Sequence, residues 1–584
     1  MIGKIKYIVL FLLLVSLTHC ANQVAPTGGA KDTTPPMVVE AQPANHSTDF
    51  NGRRIEITFD EYITLNNASQ QVLFSPPLQN KPDIKLSNKT VVIKFKEDLR
   101  PNTTYTIDFG EAVKDFHEGN LFKDYSYSFS TDSILDTLSL SGTVLDAATQ
   151  KPLEKLYVGL YSERHCERSE AIQLDSNQRQ FRLDCFASLA MTDSLFQLPC
   201  RQAPDYLART DKEGKFHFHG LPDVPFLVVA LEDMNSNLYY DLPNEKIGFL
   251  DTLVCPSDSV SIKLAAFTEV DTTQMLLESK LVEEGLLRFA FRRPADSVDM
   301  HLEWPTVDSF QVVEVWSAHH DTLSCWFTPN VADSVGVHIH FDTLINIESQ
   351  FNLKYRETQS KNRNKTKELK IGDNLKNKML IAGEDLMLRF TEPIVDIRMH
   401  DTSMLIAGTD TLYNIMDFEP VDNDGMVYRL VTTVCDTLKY TLQMADSVFH
   451  SVRGRTNNAF TLQFKRAMES DMGNIFISVA PPEGTQVIIQ LLDNKDKVLD
   501  TRIINDGVGL PQSDSTFRVG FTQLVPDKYK IQAIIDIDRN GQWSPGNFHQ
   551  RFLPEKTIPY KDVLDLKAGW DIDLDEVWEV RIER

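Results

Sequence analysis

A near-copy of one stretch within the chain constrains the fold more than any other feature. Residues 218–241 read FHGLPDVPFLVVALEDMNSNLYYD, and residues 521–544, 303 positions later, read FTQLVPDKYKIQAIIDIDRNGQWS. The two stretches align without a gap, so that Asp233 falls on Asp536 and the alternating apolar positions before it coincide. A self-match of this length indicates a duplicated structural unit. The chain is therefore predicted to contain at least two copies of one domain.

Length and charge limit the class of protein. A chain of 584 residues is too long for a single hydrophobic core, so several domains of roughly 100 residues are expected. The formal net charge is −24, and no long basic run offsets it. Nucleic acids and anionic membranes attract positively charged surfaces, so this balance argues against both as partners.

The first residues form a targeting segment. Two lysines precede an apolar run at residues 8–17, which is too short to cross a bilayer as a helix. The run ends in Leu-Thr-His-Cys at residues 17–20, which resembles the lipobox of bacterial lipoproteins. The resemblance implies cleavage before Cys20 and attachment of lipid to Cys20. His19 departs from the family pattern, in which a small residue precedes the cysteine, and ordinary secretion is the alternative.

This interpretation predicts a location in the cell envelope. Residues 1–19 would be the signal peptide, and the linker 20–35, rich in Pro, Gly and Thr, suits a flexible tether to a membrane. Ala21, rather than Asp, follows the cysteine, which under the enterobacterial sorting rule favours the outer membrane. The lipid would be the membrane contact, and the sequence leaves open which face of that membrane the protein occupies.

Residues 36–131 show the two-residue alternation of short strands. RIEITF at 54–59, TVVIKF at 90–95, YTIDF at 105–109 and YSYSF at 125–129 are separated by Asn, Gly and Pro clusters, as in an antiparallel sandwich. Together with the Pro-Pro opening, ITFDEYI and LRPNTTYTIDFGEAVKDFHEGN, they make this segment resemble the bacterial Ig-like domain of surface-layer proteins. The resemblance implies a spacer or adhesion module without catalytic residues.

Residues 375–467 resemble the same domain. LMLRFTEPI aligns with IEITFDEYI of the first segment, and YTLQMADSV aligns with YTIDFGEAV. At a constant offset of 335 positions, Tyr440 falls on Tyr105 and Phe464 falls on Phe129. A second, diverged Ig-like sandwich is therefore predicted.

The opening repeat belongs to a second kind of module. In residues 138–264 it follows an SGTV strand, a YVGLY strand and the turn DKEGKF, and these features resemble the carboxypeptidase regulatory-like domain of transthyretin (prealbumin) type. The resemblance implies a small accessory β-sandwich without enzymatic activity. Residues 474–584 would be the second copy, and the strand-like segment 265–370 a further β domain. The predicted fold class is all-β, a tandem array of Ig-like and prealbumin-like sandwiches.

One passage of the first prealbumin-like segment is foreign to the fold. Codons can be chosen so that residues 164–172 and 184–192 are reverse complements of each other at all nine positions. The passage resembles a translated palindromic repeat element inserted in frame. We expect a dispensable, poorly ordered loop over residues 163–195, and its histidine and cysteines need no metal to explain them.

The sharpest candidate site follows the strand in the second copy of the repeat. Asp536, Asp538, Asn540 and Ser544 hold loop positions 1, 3, 5 and 9, with a glycine at position 6, which is the ligand order of an EF-hand calcium loop. Asn547 stands where the bidentate glutamate is expected. The first copy places Asp233, Asn235, Asn237 and Asp241 at the same positions, with Leu238 in place of the glycine. The alternative is a structural β-turn capped by Asp and Asn side chains.

Other signals for chemistry are weaker. His217 with His219, and His338 with His340, are pairs whose side chains would share one face of a strand and could hold zinc or copper. A polar outer face of a strand is the alternative. The chain lacks HExxH, GxSxG, P-loop and dinucleotide-binding motifs. An enzyme is therefore not expected, and neither catalytic nor cofactor-binding residues are predicted.

These observations predict a non-catalytic envelope lipoprotein that acts as a scaffold, adhesion or ligand-presenting module, with envelope proteins or glycans as partners. The alternative is a carbohydrate-binding accessory protein of a polysaccharide-handling system. Its candidate binding residues are Trp304, Trp316, Trp326 and Trp543, which core packing would also explain. A hydrolase with an unrecognised carboxylate pair is a third hypothesis.

Overall fold

A computed structural model of the protein describes residues 32–123, 125–162, 193–270, 274–296, 298–304, 306, 309–329, 334–340, 346–353, 369–381, 384–408, 410–413, 416–431, 439–504, 511–512 and 516–581. The chain divides into two units. The first comprises Met1–Val144, Leu153–Tyr240 and Thr252–Leu264, and the second comprises Leu145–Pro152, Asp241–Asp251 and Ala265–Arg584. Within the described ranges, helices long and apolar enough for a bilayer are absent.

The first sandwich (β1–β9) belongs to the first unit. Its sheets have the orders β1-β2-β6-β5 and β4-β7-β9, with β3 and β8 forming a separate pair. The strands are β1 (Val38–Gln42), β2 (Arg54–Phe59), β3 (Ile63–Leu65), β4 (Leu73–Ser75), β5 (Asp83–Ser87), β6 (Thr90–Lys94), β7 (Thr104–Asp108), β8 (Val113–Asp115) and β9 (Ser126–Ser130). A short helix, Ala68–Gln71, precedes β4. Alternate residues of β2 are buried, as the sequence alternation predicts.

The second group of strands (β10–β16) contains the first copy of the repeat. Within the first unit, β10 pairs with β13, and β11 pairs with both β12 and β14, all antiparallel. In the second unit, β15 pairs with the end of β16. The strands are β10 (Leu138–Asp146), β11 (Tyr157–Tyr161), β12 (Tyr206–Arg209), β13 (Lys215–Leu221), β14 (Leu227–Leu231), β15 (Lys246–Phe249) and β16 (Ser261–Thr268).

Most of the expected insertion, residues 163–192, lies outside the described residues. Its expected last residues belong to a helix, Asp193–Phe196, whose Leu195 and Phe196 are buried, and a 3-10 turn, Leu198–Cys200, follows.

Polar contacts join the first sandwich to the second group within the first unit. The Ser75 hydroxyl accepts a hydrogen bond from the Leu207 amide at 2.9 Å, and the Thr106 hydroxyl donates to the His219 carbonyl at 3.3 Å. Gly220 has a φ of +69°, and a Cβ there would lie 2.9 Å from the Thr104 methyl group. The two β structures therefore meet along β4, β7, β12 and β13, where only glycine fits at position 220 without displacement.

The third sandwich (β17–β23) occupies the middle of the second unit. Its sheets have the orders β17-β18-β21-β20 and β19-β22-β23. The strands are β17 (Leu276–Glu283), β18 (Leu286–Phe291), β19 (Asp299–Glu303), β20 (Val312–Trp316), β21 (Thr322–Phe327), β22 (Ser334–His340) and β23 (Asn346–Asn352). The core between the sheets includes Phe289, Phe327 and Val337. The strands expected here from sequence alternation are confirmed at β18, β20 and β22.

The fourth sandwich (β24–β34) repeats the topology of the first. The order β24-β26-β31-β30 corresponds to β1-β2-β6-β5, the run β28-β32-β34 corresponds to β4-β7-β9, and the pair β27-β33 corresponds to β3-β8. The strands are β24 (Ile371–Asp373), β25 (Met379–Leu380), β26 (Met387–Phe390), β27 (Ile394–Ile397), β28 (Met404–Ala407), β29 (Asp410–Tyr413), β30 (Asp417–Pro420), β31 (Val427–Val431), β32 (Lys439–Met444), β33 (Phe449–Ser451) and β34 (Phe460–Arg466).

An aromatic pair confirms the alignment of the two sandwiches at single-residue precision. Tyr105 lies opposite Phe129 across β7 and β9, and the rings stack at 5.5 Å with an interplanar angle of 11°. Tyr440 lies opposite Phe464 across β32 and β34, and the rings stack at 5.2 Å and 14°. The offset of 335 positions predicted this correspondence.

The fifth sandwich (β35–β43) repeats the pairings of the second group. β35 pairs with β39 as β10 pairs with β13, and the order β37-β36-β40 corresponds to β12-β11-β14. The strands are β35 (Gly473–Ala480), β36 (Gln486–Leu492), β37 (Val498–Ile504), β38 (Pro511–Gln512), β39 (Thr516–Leu524), β40 (Lys528–Asp536), β41 (Thr557–Pro559), β42 (Leu564–Asp565) and β43 (Asp571–Glu579). A 3-10 turn, Glu469–Asp471, precedes it. The all-β fold class and the tandem arrangement of sandwiches are confirmed.

The two copies differ most in the length of one connection. In the fifth sandwich, residues 493–497 join β36 to β37 as a short hairpin loop. In the second group, residues 162–205 join the corresponding strands β11 and β12. The extra length therefore lies between β11 and β12, the connection that contains the inverted repeat.

Candidate metal centre

The candidate cation loop (residues 536–544) leaves the end of β40, the strand at the centre of the sheet β37-β36-β40-β41. Asp536 is the last residue of that strand and is 1% exposed, whereas Asp538 is exposed. Arg539 and Gly541 take φ values of +59° and +76°, which turn the chain back on itself. The loop therefore places one buried and one exposed carboxylate close together.

Asp536 organises the turn through its carboxylate. One oxygen, Oδ1, accepts a hydrogen bond from the Asn540 amide at 3.1 Å. The other, Oδ2, accepts from the Gly541 amide at 2.9 Å and from the Gln486 side-chain amide at 2.6 Å. A buried carboxylate needs such donors, because burying an unpaired charge costs several kcal/mol. The aspartate at loop position 1 therefore has a structural role in the turn.

The structure brings the predicted residues Asp538, Asn540 and Ser544 together. The Ser544 hydroxyl donates to Asp538 Oδ2 at 2.7 Å, and the Asn540 amide group donates to the same oxygen at 2.9 Å. The Asn540 side-chain oxygen accepts from the Gln542 amide at 2.6 Å. Asn540 points its nitrogen rather than its oxygen at the carboxylate, so the two ligand positions without a carboxylate, Asn540 and Ser544, both take part in hydrogen bonds.

Glu555 is a third carboxylate that the sequence did not predict. It lies 11 residues beyond Ser544, just before β41, and is 4% exposed. One oxygen atom each from Asp536, Asp538 and Glu555 lie within 4.8 Å of one another. Glu555 Oε1 accepts from the Ile537 amide at 2.6 Å, and Oε2 accepts from the Ser544 amide at 2.9 Å. The residue spacing within the loop could not identify Glu555. It reaches the loop only because the chain returns to pair β41 with β40.

Burial and hydrogen bonds shift the pKa values of Glu555 and Asp538 in opposite directions. Burial raises the pKa of Glu555; its backbone hydrogen bonds act in the opposite direction, and the charge of Asp536 adds to the rise. The hydrogen bond from Ser544 lowers the pKa of Asp538, with a further contribution from the Asn540 amide. A bound cation would lower the pKa of Glu555, since it compensates both the burial and the neighbouring charge.

The first copy of the loop forms the same turn with fewer charges. Asp233 accepts hydrogen bonds from the amides of Asn237 and Leu238 at 3.2 and 2.9 Å, as Asp536 does from Asn540 and Gly541. Leu238 has a φ of +63° where the other copy has glycine, a conformation unfavourable for a side chain by about 1–2 kcal/mol. Asn235 replaces the carboxylate of Asp538, and Asp241 belongs to the other unit. The shared turn explains the common aspartate without a cation.

Other predicted residues lie in different surroundings. Trp316 stacks on Phe291 at 6.0 Å in the third sandwich, where Trp304 also packs against the core, and Trp326 is 8% exposed. The Trp543 indole N–H donates to the Glu555 carbonyl at 3.0 Å. His338 lies 3.7 Å from Glu303. Cys20, with the predicted signal peptide, lies outside the described residues.

Comparison with known proteins identifies the first sandwich. Residues 32–131 match the family model described as "Bacterial Ig-like domain", as the sequence resemblance predicted. No curated protein matches the chain.

Solved structures align over long stretches at low identity. The Bacillus anthracis TIE protein is 8% identical, with 95% of this chain and 76% of that chain covered and a TM-score of 0.14. The surface layer protein SbsC, domains 1–6, is 10% identical, with coverages of 92% and 68% and a TM-score of 0.14. BcpA, the major pilin subunit of Bacillus cereus, is 10% identical, with coverages of 76% and 99% and a TM-score of 0.13.

Proposed function

We propose that this protein is a non-catalytic, lipid-anchored protein of the cell envelope that acts as a scaffold, adhesion or ligand-presenting module. The observation that carries the proposal is the repetition of one architecture, in which the fourth sandwich duplicates the topology of an Ig-like first sandwich. Each of these sandwiches encloses its own hydrophobic core, centred on Phe129 in the first and Phe449 in the fourth. Repeated modules with separate cores suit spacing and presentation of surfaces.

Anchorage through Cys20 is the part of the proposal that is easiest to test. Wild-type protein should partition with outer membranes. Cys20→Ala should instead either be cleaved and soluble or retain its signal peptide uncleaved. Ala21→Asp should redirect the lipidated protein to the inner membrane in an enterobacterial host. His19→Gly is the matched control, because it restores the small residue of the lipobox and should leave anchorage intact. Equal membrane recovery of wild type and Cys20→Ala, both with cleaved signal peptides, would contradict lipid anchorage.

Cross-linking in the same cells addresses the partner. A scaffold or adhesion role predicts envelope proteins cross-linked to wild type and fewer to Cys20→Ala. The carbohydrate-binding alternative predicts retention on a glycan array instead. Trp304, Trp316 and Trp326 pack in or beside the core of the third sandwich, which leaves them less surface for a sugar ring.

We also propose that the loop at the end of β40 binds Ca²⁺, with Asp536, Asp538 and Glu555 as carboxylate ligands. Ser544 is a neighbouring oxygen donor, and Asn540 becomes another when its side-chain amide turns its oxygen toward the ion. The grouping of three carboxylates supports this, because hard oxygen ligands are those that Ca²⁺ prefers. The alternative is a turn held by hydrogen bonds alone, as in the first copy.

Calorimetric titration with Ca²⁺ separates these alternatives. We expect a dissociation constant of about 10⁻⁴–10⁻³ M, the range of extracellular modules. Asp538→Ala should remove the binding heat while leaving the fold intact, because Asp538 is exposed. Asn235→Ala, the equivalent change in the first copy, should have no effect. At free Ca²⁺ of about 100 times this constant, the free energy of unfolding should rise by about 2.7 kcal/mol. Absence of heat with the wild-type protein would establish the structural turn.

A further inference from the structure

The strand β13 presents two histidines on one face. Exposed and buried residues alternate from Lys215 to Gly220, so that Phe216 and Phe218, each 3% exposed, point into the second group of strands. His217 and His219 lie on the opposite, exposed face. Side chains at i and i+2 of a strand are neighbours on one surface. The sequence predicts this pairing, but it does not predict how close the imidazole nitrogens lie.

The two imidazole rings are positioned for a common ligand. His217 Nε2 and His219 Nδ1 are 3.2 Å apart, and the ring centroids are 3.9 Å apart. Zinc–imidazole bonds are about 2.0–2.1 Å long, so one ion bound by both rings separates the nitrogens by about 2.9 Å at a right angle and about 3.4 Å at the tetrahedral angle. The observed separation lies between these limits. Both nitrogens can therefore reach a single ion without a change of backbone.

The surroundings leave room for further ligands and contain charges of both signs. The histidines line a cleft of about 610 Å³ within the first unit, with Thr106, Asp108 and Ser141 among its walls. The negative charges of Asp108 and Asp258 act on His219, and that of Asp258 also acts on His217. Lys215 and Arg209 line the same cleft. The Arg209 guanidinium donates to the Gln70 carbonyl and the Tyr157 hydroxyl, which hold it along β12.

Partial desolvation of the rings by the walls of the cleft favours their neutral form. Desolvation lowers the pKa of His217, and desolvation together with the neighbouring His217 lowers the pKa of His219. Neutral imidazole is the form that binds metals, because its ring has a nitrogen lone pair. In the metal-bound form, the proton of each neutral ring lies on the nitrogen that does not bind the ion, Nδ1 of His217 and Nε2 of His219. Metal binding at neutral pH therefore selects one tautomer of each ring and releases no proton.

We propose that His217 and His219 form a two-histidine chelate for a divalent transition-metal ion of the class that prefers imidazole, such as Zn²⁺ or Cu²⁺, with the remaining coordination positions open to the cleft. Imidazole ligands select these metals over Ca²⁺ and Mg²⁺. A ligand in the cleft, or water, completes the coordination shell. Without metal, the two nitrogens share a direct N–H···N hydrogen bond, which a bound ion would replace.

Titration of the full chain with Zn²⁺ tests the chelate. His217→Ala and His219→Ala should each weaken binding at this site at least tenfold, because each leaves a single imidazole. His338→Ala, which changes the other His-x-His pair of the chain, is the matched control and should leave this binding event unchanged. The exposed position of both histidines makes folded variants the expected result, and the thermal midpoint without metal verifies it.

Two further measurements identify the ligands. Bound Cu²⁺ should show coupling to two nitrogens in its electron paramagnetic resonance spectrum, reduced to one or lost in either histidine variant. Affinity for Zn²⁺ should fall at least tenfold from pH 7.5 to 4.5, since protons compete for both rings and the lowered pKa values move this competition to acid pH. The proposal is overturned if wild type binds no Zn²⁺, or if binding survives in both variants. It is equally overturned if the loss follows His338→Ala instead.

Discussion

Replacing Arg453 with methionine is expected to lower the free energy of unfolding of the second unit by about 3–5 kcal/mol. Arg453 follows β33 in the fourth sandwich, and its side chain is 2% exposed. Its Nη1 donates to Glu283 Oε1 of the third sandwich at 2.8 Å and lies 3.5 Å from Glu392 Oε1. Arg455 lies 2.6 Å from the same oxygen of Glu392. Removing the Arg453 charge takes one of two cationic partners from the buried carboxylate of Glu392 and removes the ion pair of Glu283 with Arg453.

The same substitution should loosen the contact between the third and fourth sandwiches. Trp326 lies under the Arg453 guanidinium at 5.5 Å, and Leu286, Trp326 and Val452 form a small apolar cluster beside it. Methionine keeps most of the apolar part of the arginine side chain. The decrease in the free energy of unfolding therefore measures the loss of the charge and not the formation of a cavity. Urea unfolding followed by tryptophan fluorescence measures the change, and hydrogen exchange locates it at β17, β18 and β33.

Arg398→Met is the matched control in the same sandwich. Arg398 forms an ion pair with Asp396 at 2.6 Å, but 71% of its side chain is exposed. Exposed pairs of this kind contribute about 0–1 kcal/mol, because water screens the charges. A result in which both variants unfold at the wild-type urea concentration would mean that the buried charges stabilise nothing.

Replacing Phe129 with alanine is the second change with a large expected effect, a loss of about 3–5 kcal/mol in the first sandwich. Phe129 is fully buried, and its ring contacts Phe50 at 4.6 Å, Tyr105 at 5.5 Å and Tyr127 at 6.0 Å. The cavity would lie at the meeting point of these three aromatic rings, which cannot fill it without moving both sheets. Phe464→Ala makes the equivalent change in the fourth sandwich, where the ring is 7% exposed and stacks on Tyr440.

Comparison of these two variants tests whether the sandwiches are separate modules. Hydrogen exchange should rise in β7 and β9 for Phe129→Ala and in β32 and β34 for Phe464→Ala, with the other sandwich unaffected in each case. Separate hydrophobic cores predict this, because neither core includes residues of the other. Exchange that rises equally in both sandwiches for one variant would show that the two fold as one cooperative body.

Local alternation and internal repetition predicted much of the fold. The stretch RIEITF forms β2 over Arg54–Phe59, because every second residue faces the core. The offset of 335 positions alone predicts that Tyr440 and Phe464 are equivalent to Tyr105 and Phe129. The loop DIDRNG was recognised from spacing, and its side chains do converge on one turn. Such features depend on residues close in sequence or on direct comparison of two copies.

Contacts between distant segments could not be predicted in the same way. Glu555 has no spacing signature, since it joins Asp536 only when the chain returns to pair β41 with β40. Arg453 and Glu283 are 170 residues apart and belong to different sandwiches. The 3.2 Å approach of His217 to His219 depends on side-chain rotamers, which alternation leaves undetermined. Each of these contacts depends on how complete strands and their side chains pack in the folded chain.

The way β43 joins the fifth sandwich determines how that sandwich responds to mechanical load. β43 runs parallel to β35, from the pair Asn474 with Asp571 to the pair Ala480 with Glu579. Tension that draws residue 473 and residue 579 apart pulls these two strands in opposite directions along their length. All the hydrogen bonds between them then resist together in shear, whereas an antiparallel hairpin at the same position would open one bond after another. A protein tethered at one end and held at the other would gain from this arrangement.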